Sequence, residues 1–554
     1  MATEDKTSWW GEGSSVSRVR GVIFEYGTFF ATLFGILMVA VLLVYVSIDA
    51  FRPFTADPMW HLTYLFAFVI PSVVTWLYLG RKNPPAQAVG QNTLSMLIGG
   101  LFVAAGLVIV LVNVYGPISW FAVSVSTTIG IGAFYAYLKK RPRMNIVEQA
   151  AVFVAIAIVT VTGVPAIPQL GVPKLLSPLW EFILGAPFIP TEWAALAVTL
   201  GPIAGAIFAP RIGSYRKTET PWTPVIGTVV IAAAAVGALA ATIGWNANAA
   251  VVVFLATAVP IGQYLYGVSI RDSKSLIGLA LPVVVIGALA VGIVLTETLG
   301  FTPPNAWLDW DFLTSVHSRT AVDAGIYPAL VGSVLMILVI AVSAFPVGVG
   351  AAIYLEEYAP STGWLGKFVR LIKINIGNLA GVPSVVYGML GLALIVRAIG
   401  LPLGTVIVGG FTVGLLILPI IIISAQEAIR AVPDSMRQAS YGMGATRWQT
   451  TKNVVLPEAM PGILTGTILA LGRAIGETAP LILIGAATTI YRSPDGIFSS
   501  FSAMPKQIHS WVVNYPQADF RYGVMAAGVV TLLVVLLGMN AAAIIIRNKY
   551  QRRQ

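Results

Sequence analysis

An arginine and a glutamate four residues apart stand inside a long apolar stretch of this sequence. Arg473 lies near the middle of a predicted membrane span over residues 459–487, and Glu477 follows about one helical turn later on the same face. A charge at the bilayer centre costs about 2.5–3.5 kcal/mol on insertion scales, so this face should point to the bundle interior or a water-filled path. Because a guanidinium binds oxyanions bidentately, the pair predicts an oxyanion path, a structural salt bridge, or both.

A hydrophilic loop, predicted over residues 425–458, is the second candidate site. Its length accommodates two short helices with a turn at Gly444, and its small residues let another protein approach the backbone closely. A proline in the first turn of the following helix is tolerated there. The pattern consists of Gln438, Ala439, Ser440, Gly444, Val454, Leu456 and Pro457. The alternative interpretation is an ordinary helical hairpin with a glycine turn.

A third candidate is the small-residue run around Pro383 and Ser384. A proline among small residues is typical of a kinked or broken helix, and such a break at membrane depth is tolerated where it lines a cavity. We therefore predict that both residues line a pore. A tight contact between two helices would use the same residue types.

Membrane-spanning helices have to position all three sites. Of the 554 residues, 57% are hydrophobic and 10% are charged, against about 25% charged in soluble domains. Apolar runs near the spanning length of about 20 residues predict an all-α integral membrane protein with about fourteen spans. These are residues 28–48, 60–80, 93–115, 118–137, 145–167, 191–209, 224–244, 246–267, 276–299, 327–354, 377–396, 403–424, 459–487 and 523–546.

The charges give this arrangement an orientation and exclude several functions. With alternating sides, most of the 33 lysines and arginines fall on the side of the N-terminus, which predicts a multi-pass cell-membrane protein with both termini in the cytoplasm. The same bias accounts for the net charge of +10 without nucleic acid. The chain has no cysteine and three distant histidines, and it lacks a phosphate-binding Gly-Lys-Ser/Thr motif, so we predict no metal site, no catalytic site and no bound cofactor.

The loop pattern resembles the EAA loop of ABC importer permeases, E-A-A-x3-G-x9-I-x-L-P, with Gln438, Ser440 and Val454 as the departures. The run Arg473–Pro480 resembles the R-A-x-G-E-T-A-P signature of the PstA family of phosphate importer permeases. The stretches 325–333, 351–358 and 378–388 resemble the same family, and the likeness covers about residues 276–554.

This resemblance implies a type I importer permease core of six C-terminal helices, with Arg473, Glu477 and Thr478 on the translocation path. The EAA-like loop would couple the core to an ATPase. The implied partners are a PstC-like permease subunit, a PstB-like ATPase dimer that uses ATP and Mg, a PstS-like phosphate-binding protein, phosphate itself and the lipid membrane. Sulfate or molybdate as cargo, or a phosphate-sensing scaffold that transports nothing, are the alternatives.

Residues 1–275 are predicted to form a separate membrane extension of about eight helices, next to the permease domain at 276–554. Their short cytoplasmic loops lack the coupling pattern, so an internal duplication is rejected. Few charges lie within these spans, which favours a structural role over ion-coupled transport. The competing hypothesis is that the loop 168–190 docks the binding protein.

Overall fold

The computed structural model describes residues 18–141, 146–163, 176–187, 190–216, 219–487 and 489–551. The helices of the N-terminal half are α1 (Arg18–Phe51), α2 (Pro58–Tyr64), α3 (Ile70–Lys82), α4 (Pro84–Leu107), α5 (Pro117–Lys140), α6 (Ile146–Ala157), α7 (Leu179–Leu184), α8 (Glu192–Arg216), α9 (Trp222–Thr242), α10 (Ala247–Val253) and α11 (Val259–Arg271). Those of the C-terminal half are α12 (Ala280–Leu299), α13 (Trp310–Thr314), α14 (Tyr327–Ile353), α15 (Gly363–Ala380), α16 (Ser384–Gly391), α17 (Val406–Arg430), α18 (Asp434–Gly442), α19 (Arg447–Thr450), α20 (Leu456–Ile475), α21 (Ala479–Leu483), α22 (Met504–Asn514) and α23 (Met525–Gln551).

Several helices continue through wider π turns or begin with a 3-10 turn. The π segments are Leu65–Val69, Val108–Val114, Ile158–Thr162, Phe254–Ala258, Tyr354–Tyr358, Leu392–Ala398, Thr451–Val455 and Asp519–Val524, and the 3-10 segments are Pro53–Thr55 and Ser273–Leu279. The described residues contain no strand, and Thr405 and Ser500 form an isolated bridge.

Among the described residues, twelve helices are long and apolar enough to cross a membrane. The protein is therefore an all-α, multi-pass membrane protein, as the sequence predicted. Two of the fourteen predicted spans are not among these twelve helices. The span predicted at 145–167 is a shorter apolar helix that ends at Thr162, where Gly163 adopts a positive φ of 62°; its last predicted residues, 164–167, lie outside the described part.

The span predicted at 377–396 is broken. Helices α15 and α16, the latter with its π extension to Ala398, meet at an angle of 109°. Pro383 causes the break, because it has no N–H for a helical hydrogen bond and restricts the residue before it to extended conformations.

The span predicted at 459–487 is also interrupted. Helix α20 ends at Ile475 and α21 starts at Ala479. Pro480 cannot donate a hydrogen bond to the carbonyl of Gly476, which weakens the helix at this break. Arg473 consequently occupies the last turn of α20, and the prediction that it lies near the middle of a span was wrong.

The core of the C-terminal half consists of α14, α17 and α20, which pack against one another, with α23 beside α20. Its largest buried cluster includes Leu335, Ile340 and Ile417. Helices approach closely where glycines lie at the contact: a side chain on Gly410 would meet Val339 at 2.4 Å, and one on Gly466 would meet Ser424 at 2.2 Å. Since these contacts exclude a Cβ, they fix how the three helices cross.

The N-terminal half has its own buried cluster and also contacts the core. Helices α8 and α9 pack along each other, and α12, which the sequence assigned to the C-terminal domain, packs against α2, α3 and α4. Helix α1 lies along α23, where Ala50 and Ala526 are fully buried. The carbonyl of Ala50 accepts hydrogen bonds from the N–H groups of Trp307 and Leu308 at 2.8 and 3.2 Å. The domain boundary at 275/276 remains a prediction.

A layer of short helices covers one end of the core. Helices α13 and α22 enclose His317, which is 2% exposed. The indole N–H of Trp511 donates to its Nδ1 at 2.9 Å, so Nδ1 is unprotonated and Nε2–H donates to the Tyr515 hydroxyl at 2.7 Å. Burial lowers the pKa of His317 to about 4, which keeps the ring neutral.

Candidate coupling loop and transport path

The hydrophilic loop folds as the sequence predicted, into two short helices with a glycine turn. Helix α18 ends at Gly442, Gly444 adopts a positive φ of 83°, and α19 begins after Thr446. The Thr446 side chain accepts a hydrogen bond from the N–H of Gln449, whose own side chain bonds back to the Thr446 N–H. This reciprocal cap fixes the start of α19.

The residues of the loop pattern divide into an exposed and a buried set. Gln438, Ala439 and Gly444 are exposed, and so are the larger side chains of Met443 (84%) and Trp448 (60%) between and beyond them. They belong to α18, the glycine turn and α19, next to the start of α20, whereas α22 packs near the end of α20. We call Gln438, Ala439, Met443, Gly444 and Trp448 the loop surface.

Other positions hold the loop together. The Ser440 hydroxyl is buried and lies 2.9 Å from the hydroxyl of Thr450, which joins α18 to α19. Val454 and Leu456 are half-buried. The serine that departs from the EAA pattern thus supplies a hydrogen bond that alanine would lack.

Pro457 lies in the first turn of α20, as predicted. It lies in a helical run that continues from Arg447 to Ile475. The preceding turn, Thr451–Val455, widens to a π conformation. Such a bulge accommodates a proline inside a helix, because the hydrogen-bond ladder is already shifted there.

Two glutamates at the end of α14 tie the loop to the core. Glu356 accepts hydrogen bonds from Lys373 of α15 at 2.9 Å and from Arg430 of α17 at 2.8 and 3.0 Å. It therefore joins the ends of three core helices.

Glu357 lies 7% exposed beside it and pairs with Arg437 of α18 at 3.2 Å. The same guanidinium donates to the carbonyls of Val432 and Ile429 at 2.5 and 2.8 Å, and to Asp434 at 3.2 Å. Arg437 is thus a buried clamp between α18, the end of α17 and the end of α14.

The charged pair of the predicted path is formed. The Nε of Arg473 donates to Glu477 at 3.2 Å, and the arginine side chain is 46% exposed while that of Glu477 is 14% exposed. Glu477 and the half-buried Thr478 lie in the break between α20 and α21. The guanidinium therefore keeps free donors although one side of it is paired.

The structure brings this pair next to the bent helices. Gly388 of α16 packs so closely on α21 that a Cβ would lie 2.8 Å from Pro480 and from Leu483. Tyr387 of α16 is within electrostatic range of Arg473, and its hydroxyl donates to the Leu379 carbonyl across the bend at 2.8 Å. Pro383 is exposed and Ser384 half-buried at the bend itself. Whether these two line a pore stays a prediction.

Sequence reasoning missed the groups that tie the loop to the core helices. Glu356 and Glu357 stand in a stretch that the sequence comparison with the PstA family had already highlighted, directly after an apolar run. Their adjacency at a helix end was the available signal. Their partners Lys373, Arg430 and Arg437 could not be identified, since they come from three other helices.

Comparisons with known proteins identify the family of this chain. Residues 344–551 match the family model described as the inner membrane component of binding-protein-dependent transport systems. The phosphate transport system permease protein PstA 1 of Mycobacterium tuberculosis (strain CDC 1551 / Oshkosh) is 35% identical over 231 residues, which are 42% of this chain and 73% of that protein.

PstA of Mycobacterium leprae is 36% identical over 217 residues, covering 39% of this chain and 68% of its own length. The probable ABC transporter permease YqgI of Bacillus subtilis is 32% identical over 251 residues, covering 43% of this chain and 82% of its own length. A chain of the inward-facing MetNI methionine ABC transporter aligns with 40% of this chain and 93% of its own at 19% identity, with a TM-score of 0.32.

The chain belongs to the inner-membrane permeases of binding-protein-dependent transport systems, which are transport components. Within that class it belongs to the PstA family.

Proposed function

We propose that this chain is the membrane-spanning subunit of an ATP-driven importer of inorganic phosphate. In this role it forms the translocation path around Arg473, Glu477 and Thr478, and the loop 438–457 couples the path to a separate ATPase. The partners would be a PstC-like permease subunit, a PstB-like ATPase dimer that uses ATP and Mg, and a PstS-like binding protein. The chain would lie in the plasma membrane with both termini in the cytoplasm.

The observation that carries the proposal is the Arg473–Glu477 pair at a helix break, in contact with a second broken helix. Broken helices at membrane depth are tolerated where they border a cavity. An arginine with free donors attracts an oxyanion, and the neighbouring carboxylate limits that attraction so that the cargo can also leave. The names of the relatives indicate phosphate as this oxyanion.

The loop surface supports the coupling role. It presents Met443 and Trp448 from a backbone of small residues, and apolar and aromatic anchors of this kind contribute strongly to protein interfaces. Behind it, Arg437 and Glu357 connect α18 to α14. A movement of the ATPase would thereby reach the core helices directly.

The test is ATP-driven uptake of labelled phosphate by the reconstituted complex, with wild type compared to Arg473→Gln. The matched control is Arg397→Gln, which removes the same charge from an exposed position at a helix end. We expect that Arg473→Gln abolishes uptake while the complex still assembles, and that the control transports normally.

Other outcomes have distinct meanings. Equal phosphate uptake by wild type and Arg473→Gln would support phosphate as the cargo and would indicate a structural role for Arg473. Uptake of sulfate or molybdate in place of phosphate by an assembled wild type would refute the proposal that phosphate is the cargo. A complex that binds its partners and transports none of these anions would favour a sensing scaffold.

A further inference from the structure

A polar cavity lies in the N-terminal half, where α4, α8, α11 and the 3-10 turn before α12 meet. Its volume is about 220 Å³, and the polar part of its lining consists of Tyr215, Tyr264, Arg271, Asp272 and Ser275. The two tyrosines are half-buried and the arginine is exposed, so a ligand from outside can reach all three side chains. The site therefore combines an accessible space with a cation and two hydroxyl groups.

The cavity lies at the depth of the lipid headgroups. Tyr215 and Arg271 are the last residues of two membrane-spanning helices, and the span of α4 begins at the same end with Pro84. Two further spans, 273–299 and 327–358, return the chain to this end near Glu357, which pairs with Arg437 of the candidate coupling loop. The cavity and this loop are therefore on the same side of the membrane.

A chain of hydrogen bonds ends at the hydroxyl of Tyr215. Nη1 of Arg211 donates to Oε1 of Gln263 at 3.2 Å, and Nε2 of Gln263 donates to the Tyr215 hydroxyl at 2.9 Å. Because a guanidinium has donors only, it fixes the orientation of the amide, and the hydroxyl has to accept. Within the described part of the chain, this hydroxyl donates to no acceptor, so its own hydrogen is available to a ligand.

Two further groups of the lining are donors. The hydroxyl of Tyr264 accepts from the Asn92 amide at 3.0 Å, and its hydrogen has no acceptor among the residues described. The guanidinium of Arg271 lies over the ring of Tyr215, 4.9 Å from its centroid, and forms no ion pair with any described residue. A guanidinium stacked on an aromatic ring retains its N–H groups for an oxyanion.

The carboxylate in the lining is already engaged. Asp272 caps the 3-10 turn Ser273–Leu279, with one oxygen accepting from the Lys274 N–H at 3.2 Å and the other from the Ser275 hydroxyl. Its negative charge is offset by Arg271 next to it in the chain. The groups left without a partner are therefore donors, which favour an oxyanion over a cation.

We propose that Tyr215, Tyr264 and Arg271 bind the phosphate group of an anionic phospholipid, on the side of the membrane that carries the candidate coupling loop. Basic pockets between spanning helices bind such headgroups, and a cavity at headgroup depth meets lipid phosphates before any other oxyanion. A bound lipid would join α8 and α11 to the turn that leads into α12. The site is separate from the proposed transport path and does not depend on its cargo.

The experiment measures thermal unfolding of the purified full chain in detergent with increasing amounts of three probes. Phosphatidylglycerol is the anionic lipid, phosphatidylcholine has the same phosphodiester without net charge, and inorganic phosphate is the soluble source. The variants are Arg271→Gln and Tyr215→Phe. The controls, Arg81→Gln and Tyr135→Phe, remove the same groups from exposed positions at the same end of α3 and α5.

Phosphatidylglycerol should raise the melting temperature of the wild type and of both controls, because a ligand that binds only the folded state stabilises it. The same rise should require about tenfold more of this lipid for Arg271→Gln and about fivefold more for Tyr215→Phe, since charged hydrogen bonds contribute more than neutral ones. Tyr215→Phe keeps the ring beneath Arg271 and reports on the hydroxyl even if Arg271→Gln does not fold.

Responses of Arg271→Gln and Tyr215→Phe equal to that of the wild type would overturn the site. Equal stabilisation by phosphatidylcholine would overturn the recognition of an anionic headgroup. Stabilisation by inorganic phosphate alone, weakened in Arg271→Gln, would support the phosphate site and overturn the lipid as its source. Since none of these measurements involves transport, each outcome leaves the proposed function untouched.

Discussion

The clamp between Arg437 and Glu357 allows a quantitative prediction about both stability and coupling. The two side chains are 16% and 7% exposed, and the guanidinium has two further bonds to backbone carbonyls. Arg437→Ala leaves Glu357 as an unpaired buried carboxylate, and breaking such a pair costs about 3–5 kcal/mol. The exposed partner Asp434 adds little, because surface ion pairs contribute at most about 1 kcal/mol.

A double variant distinguishes the energetic contribution of the ion pair from that of its surroundings. Replacing both partners by apolar residues, as in Arg437→Met with Glu357→Leu, is often nearly neutral. We therefore expect the double variant to melt closer to wild type than either single variant, as determined by thermal unfolding in detergent. Single costs that simply add in the double variant would refute the idea of a direct buried pair.

The same variants test whether the clamp transmits motion. If α18 acts on α14 through Arg437, the single variants should transport less phosphate per ATP hydrolysed while the ATPase subunits remain bound. The ratio is obtained from uptake and hydrolysis measured on the same proteoliposomes. An unchanged ratio in folded, assembled Arg437→Ala would contradict a role in coupling.

Three further predictions concern particular side chains. The pKa of His317 is lowered from 6.5 to about 4. The neutral ring therefore contributes about 3 kcal/mol to the free energy of unfolding, which is fully present above pH 6.5 and is lost as the pH falls towards 4. His317→Phe should flatten the pH dependence of the melting temperature in this range. Gly444→Ala should cost about 1–2 kcal/mol of loop stability because of its positive φ and weaken ATPase binding in a pull-down, whereas Gly442→Ala, with open space around it, should bind normally. Gly332→Ala would place a Cβ 2.0 Å from the Ser502 carbonyl oxygen and should lower the melting temperature in a heat-denaturation assay by an amount equivalent to about 1–3 kcal/mol.

Local chemistry was sufficient to predict the fold of the candidate coupling loop. Its turn at Gly444 and its two short helices follow from glycine conformation and from the capping preference of Thr446, both of which act over a few residues. The Arg473–Glu477 contact likewise follows from spacing along one turn.

Hydropathy alone could not show where apolar runs break. Pro383 and Pro480 interrupt predicted spans because they remove helical hydrogen bonds, but the residues around them are as apolar as in an intact span. The ion pairs of Glu356 and Glu357 could not be predicted from the sequence either, since they depend on how distant helices pack. The pattern of apolar residues reflects the composition along the chain and carries no information on contacts between distant helices.

The N-terminal half covers part of the surface of the core. Helices α1 and α4 lie against α23, with Phe102 packed on Gly538, and Asn113 donates a hydrogen bond to the Tyr327 hydroxyl at the start of α14. These flanks of the core are therefore already occupied within the same chain. Under the proposed function, a second permease subunit would dock on another face of the core, such as that of α15 and α16, where Phe368 and Met389 are 54% and 57% exposed. The extension would thus reduce the surface of the core that is open to such a partner.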